Sequence, residues 1–147
     1  MGVQMKSPMT EEWFPELYRQ KVRSQRTRRC VIDVPSKENE PRIQHTLLGI
    51  ELKVGRRRIS CPDLPTARYM RVFAKIGCKE FAIPYDITKI SAIADELESS
   101  LERALLRFDG DSVKRARTLR QIRSEIQSMG SGDDVPTFKK TVKGKRG

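Results

Sequence analysis

The sequence predicts a small α/β domain of the α+β kind. A mixed sheet of about three to five strands is flanked by helices, in the rough order α-β-β-β-α-β-α-α. Three observations carry this. Ile50, Leu52 and Val54 alternate with Glu51 and Lys53, the period of a half-buried strand. Ala67, Met70, Phe73, Ala74 and Ile76 recur at helical spacing between Asp63 and Gly77. Two longer amphipathic stripes follow, after Asp86 and after Ser112.

The chain has 147 residues, the size of one domain. Residues 1–9 are expected to be a disordered leader, 10–130 the folded domain, and 131–147 a basic flexible tail. Thr10 is a candidate cap for a first helix carrying Trp13, Phe14, Leu17 and Tyr18, and Pro15 requires that helix to begin near Phe14 or to kink. Cys30 to Val34 reads as a strand ended by Pro35, and Ser36 to Pro41 as a polar loop. Arg42 to Leu48 leads into the central strand, Leu47 to Val54, and Gly55 supplies a turn before a basic strand beginning at Arg56.

Asp63 then caps a helix with Pro65 in its first turn, and Gly77 lies just past its end. Phe81 to Pro84 reads as a short buried strand. The strand–helix–strand order predicts a parallel crossover that would set it beside the Ile50 strand. Asp86 is a candidate cap for a long helix with Ile87, Ile90, Ala94, Leu97, Leu101, Ala104 or Leu105, and Phe108 on one face. Asp109 to Asp111 break it. Val113, Ala116, Leu119, Ile122, Ile126 and Met129 form the narrow stripe of a last helix with a basic back.

Charge narrows the partner. Thirty Lys and Arg face nineteen Asp and Glu, a net charge of +11. A field of that sign favours a polyanion, nucleic acid before any other. The cations cluster in three patches. The first is Arg19, Lys21, Arg23, Arg26, Arg28 and Arg29, a run without one acid. The second is Arg56, Arg57 and Arg58, and the third is Lys114, Arg115, Arg117, Arg120 and Arg123. A one-sign run repels itself unless a counter-charge covers it, so these fourteen residues are the candidate phosphate contacts. Aromatic residues are few and are not interleaved with the basic ones, which argues against a base-stacking platform and for backbone contact with DNA or structured RNA.

The three cysteines follow no metal-ligand spacing and the single histidine, His45, is isolated, so a structural zinc site is not expected. Reduced thiols suit a cytoplasmic protein. No apolar run approaches the ~18 residues of a membrane-spanning helix, and no secretory signal is evident. Gly-rich phosphate loops and nucleophile elbows are also lacking. The helices over 87–108 and 113–129 offer faces for a protein partner or a second copy, which leaves a protein-interaction or ribonucleoprotein-associated module as another reading.

Glu51-Leu52-Lys53, in an apolar strand followed by a helix and another strand, resembles the ExK element of the PD-(D/E)xK nuclease family. The resemblance spans roughly Glu16 to Tyr85. In that family an Asp and the acid of the motif hold a divalent metal while the Lys helps activate water. It implies Asp33 and Glu51 as ligands of a Mg²⁺ ion, Lys53 as the water-orienting base and Glu16 as an outer ligand. This chain differs from the family pattern in lacking a Pro-Asp pair before the strand and in carrying Asp33 on the first strand.

Overall fold

The computed structural model describes residues 13–131. The expected leader, the Thr10 cap and the basic tail beyond Ser131 lie outside them. The elements run α1 (Phe14–Leu17, continued by a π-turn, Tyr18–Val22), β1 (Thr27–Val31), β2 (Arg42–Thr46), β3 (Gly49–Val54), β4 (Arg57–Cys61), α2 (Leu64–Ile76), β5 (Glu80–Pro84), a 3₁₀ turn (Ile87–Lys89), α3 (Ile90–Leu106) and α4 (Ser112–Ser128). No helix among the described residues is long and apolar enough to cross a membrane.

The predicted α+β class, the three to five strands and most of the order hold, with one strand more than the rough order gave and a different pairing. Leu47 and Leu48 do not belong to a strand. They are the two-residue loop of a hairpin in which Arg42 pairs with Lys53 and Thr46 with Gly49. Gly55 and Arg56 form a second two-residue loop joining β3 to β4. The turn at Gly55 is where the sequence placed it, and its φ of 64° explains the glycine.

The parallel crossover does not form. The two tight hairpins occupy both edges of β3, so β5 cannot reach it. β5 pairs instead with β1, antiparallel, Cys30 opposite Phe81. The result is two antiparallel sheets, β1–β5 and the β2–β3–β4 meander.

The helix α2 sits between the sheets. Asp63 accepts from the Thr66 N–H at 2.8 Å and starts it; Gly77, in the left-handed region, ends it. Phe73 on this helix is the hub of the core. Its ring stacks on Phe81 of β5 at 4.1 Å, and Phe14, Tyr18 and Tyr69 surround it. On its other side α2 meets the inner face of the meander, which carries Ile43, Leu52, Val54, Ile59 and Cys61.

Loop 35–40 is more ordered than its polar composition suggests, because it caps the C-terminus of α2. Asn39 is buried; its side-chain amide donates to the Ala74 carbonyl at 2.9 Å and its backbone N–H to the Lys75 carbonyl at 3.0 Å. The last free carbonyl, that of Ile76, accepts from Arg123 of α4 at 2.7 Å. A cation at a helix C-terminus also opposes the dipole's negative end.

The long helix expected from Asp86 is shorter by one turn. Asp86 caps the 3₁₀ turn, Ile87 is exposed, and α3 buries Ile90, Ala94, Leu97, Leu101 and Leu105. The helix α4 buries Leu119, Ile122 and Ile126, while Val113 at its start stays exposed. The middle of each stripe is therefore spent on the chain's own core, while Ile87 and Val113 at their starts stay open.

Candidate nucleic-acid interface

Strand alternation sorts the meander's side chains. Ile43, Leu52 and Ile59 are directly opposite one another and turn inward. Arg42, Lys53 and Arg58 are the next set in register, and all three are exposed on the outer face. Three cations thus form a continuous row across three strands. Like charges directly opposite on a sheet destabilise it by a few tenths to about 1 kcal/mol a pair. The only carboxylate on the neighbouring row, Glu51, accepts from Arg58 Nε at 3.1 Å. Arg42 and Lys53 have no ion pair among the described residues.

An open groove of ≈ 580 Å³ runs from the Arg42 and Lys53 end of this row to loop 35–40, with Lys37, Glu38 and Gln44 also on its walls. Glu38 is withdrawn from it electrostatically. Its carboxylate accepts two bonds from Arg115, at 2.7 and 2.8 Å, and lies 3.5 Å from Lys75 Nζ. The Arg115 bonds hold the Glu38 carboxyl below its ordinary range, so it stays ionised and spoken for.

The three cation patches read from the sequence separate into open and engaged members. In the first, the helix ends at Val22, which is buried, and Thr27 begins β1, so the run does not form one continuous face. Arg19 pairs with Glu16, Lys21 with Glu96 at 3.8 Å and Arg29 with Glu80 at 3.4 Å. Arg23 donates to the Thr27 hydroxyl and Arg26 lies 4.4 Å over the Tyr85 ring. Arg28 is exposed without an ion pair among the described residues.

In the second patch Arg56 is open, while Arg57 reaches Asp33 at 3.1 Å. In the third, Arg115 and Arg123 have the structural roles already described. Lys114, Arg117 and Arg120 remain exposed along one side of α4. Arg42 was missed by reading the sequence for clusters, because its neighbours Lys53 and Arg58 are brought to it by register and not by sequence proximity.

The acids that would serve a nuclease are not assembled. Asp33 is held by Arg57, whose side chain leaves β4 on the face that carries Ile59 and Cys61. Glu51 and Lys53 leave β3 on the opposite face. The groove takes in Lys53 but neither Asp33 nor Glu51, and Glu16 is bonded to Arg19 and Gln20 on the first helix. Among the described residues no three His, Cys, Asp or Glu side chains are grouped so as to hold a metal ion. Burial pushes the Cys30 and Cys78 thiols up to about 11, so neither is a ready nucleophile.

Comparison with family models, with curated proteins and with solved structures finds no match to this chain.

Proposed function

We propose that this protein binds nucleic acid by gripping phosphates with the outer face of the meander. The observation that supports the reading best is the in-register row Arg42, Lys53 and Arg58. A folded sheet holds such a row at a cost, and a polyanion laid across it removes that cost. Arg56, in the β3–β4 turn itself, adds an exposed cation at that end of the meander, and Lys114, Arg117 and Arg120 of α4 offer a second set of contacts. The net charge of +11 steers a polyanion toward the molecule whichever set it meets first. Three free thiols, two of them buried, fit a reducing cytoplasmic setting.

Filter binding to a mixed-sequence duplex at rising salt tests this. The logarithm of affinity should fall linearly with the logarithm of salt. In the Arg42→Gln, Lys53→Gln double variant the slope should shrink by roughly 1.8, two contacts at ~0.9 each. A flat slope for the wild type, or an unchanged slope for the variant, rejects the reading.

A further inference from the structure

At the far end of the same hairpin stand the two most exposed apolar side chains described, Leu47 at 104% and Leu48 at 97% relative exposure. The backbone that carries them is pinned. The Thr46 hydroxyl accepts from the Leu48 N–H at 3.1 Å and donates to the Gly49 carbonyl at 3.0 Å, locking the loop from inside. Gly49 provides the φ of 130° that closes it. None of the described residues covers the two leucines, and neither contributes to the core.

We infer that Leu47 and Leu48 are a wedge that enters a base step of the duplex gripped by the row, unstacking it and bending the helix axis. The inference rests on the phosphate-binding reading above. Size argues for this occupant. Two leucine side chains fall far short of the ~1,000 Å² that a specific protein interface needs, whereas an intercalating wedge requires only one or two apolar side chains on a stiff support.

Charge argues the same way. The hairpin that carries the leucines also carries Arg42 and Lys53, five residues back along each strand. At ~3.3 Å per residue the row trails the tip by roughly 16 Å, about five base steps of duplex at 3.4 Å each. Along the hairpin itself the tip carries no Lys or Arg: Thr46, Gly49 and Ile50 are uncharged, and the nearest titratable side chain is His45, opposite Ile50. That is the pattern for entering an uncharged base stack while the phosphates are held further back. An anionic headgroup layer would instead be met by cations at the tip.

The test uses duplexes of about twenty base pairs, DNA and RNA, with 2-aminopurine at successive positions and dyes at the ends. Saturating wild-type protein should raise 2-aminopurine emission at least twofold at one position and increase end-to-end energy transfer. The Leu47→Ala, Leu48→Ala double variant should keep the salt-dependent binding within about tenfold and lose both signals. Binding without either signal, or signals that survive in the double variant, overturns the wedge and leaves the phosphate reading standing. Failure to bind either duplex overturns both. Leucine-dependent co-sedimentation with phosphatidylserine vesicles, with no change in 2-aminopurine emission, assigns the tip to a membrane surface and overturns the wedge.

Discussion

The Tyr18 hydroxyl accepts a hydrogen bond from the Ala82 N–H at 2.8 Å, while Tyr69 donates to the Ala82 carbonyl at 2.6 Å. Ala82 lies opposite Arg29 in β1, but both of its backbone groups turn to the other edge of β5, where no strand pairs among the described residues. Two tyrosines from two helices stand in for the missing strand. Tyr18 also donates to the Gly130 carbonyl at 3.4 Å and so ties down the end of α4.

Tyr18→Phe leaves the buried Ala82 N–H without a partner and should cost about 1–3 kcal/mol in urea unfolding. The hydroxyl also has a pH signature. Burial pushes Tyr18 up to about 12, against the opposing pull of the Ala82 N–H and of Arg23. The folded state therefore keeps this proton longer than the unfolded chain, whose tyrosine titrates near 10.0. Stability from this group is intact below pH 10 and declines as pH rises toward 12. The decline should be shallower in Tyr18→Phe than in the wild type. Equal slopes in the two proteins would show that Tyr18 is not the group responsible.

Gly77→Ala should be among the most damaging single changes. Gly77 has φ of 83°, and a Cβ there would come within 2.3 Å of the Lys37 carbonyl oxygen and 2.4 Å of its nitrogen. Both are backbone atoms of the loop that caps α2, so neither can swing aside. Strain and clash together should cost about 3 kcal/mol or more. Gly110→Ala is the comparison: its φ is 87°, close to that of Gly77, but nothing lies within 4 Å. It should lose only the backbone component, about 1–2 kcal/mol. Thermal unfolding of both variants decides, and equal losses would mean the Lys37 contact is unimportant.

How far the fold was legible follows from which forces are local. The caps at Asp63 and Gly77 and the stripes of α2, α3 and α4 depend on residues three and four apart, and they stand where the sequence put them, except that Ile87 and Val113 at the starts of the last two stripes are exposed. Strand pairing depends on which edges remain free. Reading Leu47 and Leu48 as strand hid one hairpin, left β3 with an apparent open edge and invited the parallel crossover. Once both two-residue loops are recognised, the register follows by counting, and with it the row Arg42, Lys53, Arg58. The cation runs were legible as composition only. Whether Arg115 faced solvent or Glu38 depends on a loop 77 residues away in sequence.

That distant pair gives the acid-side prediction. Glu38 joins loop 35–40 to α2 through Lys75 and to α4 through Arg115. The Arg115 hydrogen bonds lower its carboxyl below the ordinary 4.5. A lowered carboxyl contributes stability above its unfolded value, and loses it as pH falls from 4.5 through the folded value. Glu38→Gln should cost about 1–2 kcal/mol at pH 7, since the group is partly buried and doubly bonded. The variant and wild type should converge in stability as pH drops below 4.5. A gap that persists unchanged at low pH would assign the loss to packing rather than to the ion pair.

Lys53→Glu separates stability from binding. Lys53 is the middle of the row, with Arg42 opposite on one side and Arg58 on the other. A carboxylate there replaces two like-charge oppositions with two opposite-charge pairs, each favourable by about 0.2–1 kcal/mol. Its neighbour along the strand, Glu51, already leans on Arg58, which trims the second of these gains. The folded protein should therefore be unchanged or more stable by up to about 1 kcal/mol. Binding to nucleic acid should move the other way. One phosphate contact is lost and a like charge is set against the backbone, so affinity should drop roughly tenfold or more at 100 mM salt. A cation row that served only solubility would leave affinity untouched while stability rose. One that served only the fold would lower stability when its centre was reversed. Only a row kept against its own repulsion for an anionic partner gains stability and loses affinity with the same substitution.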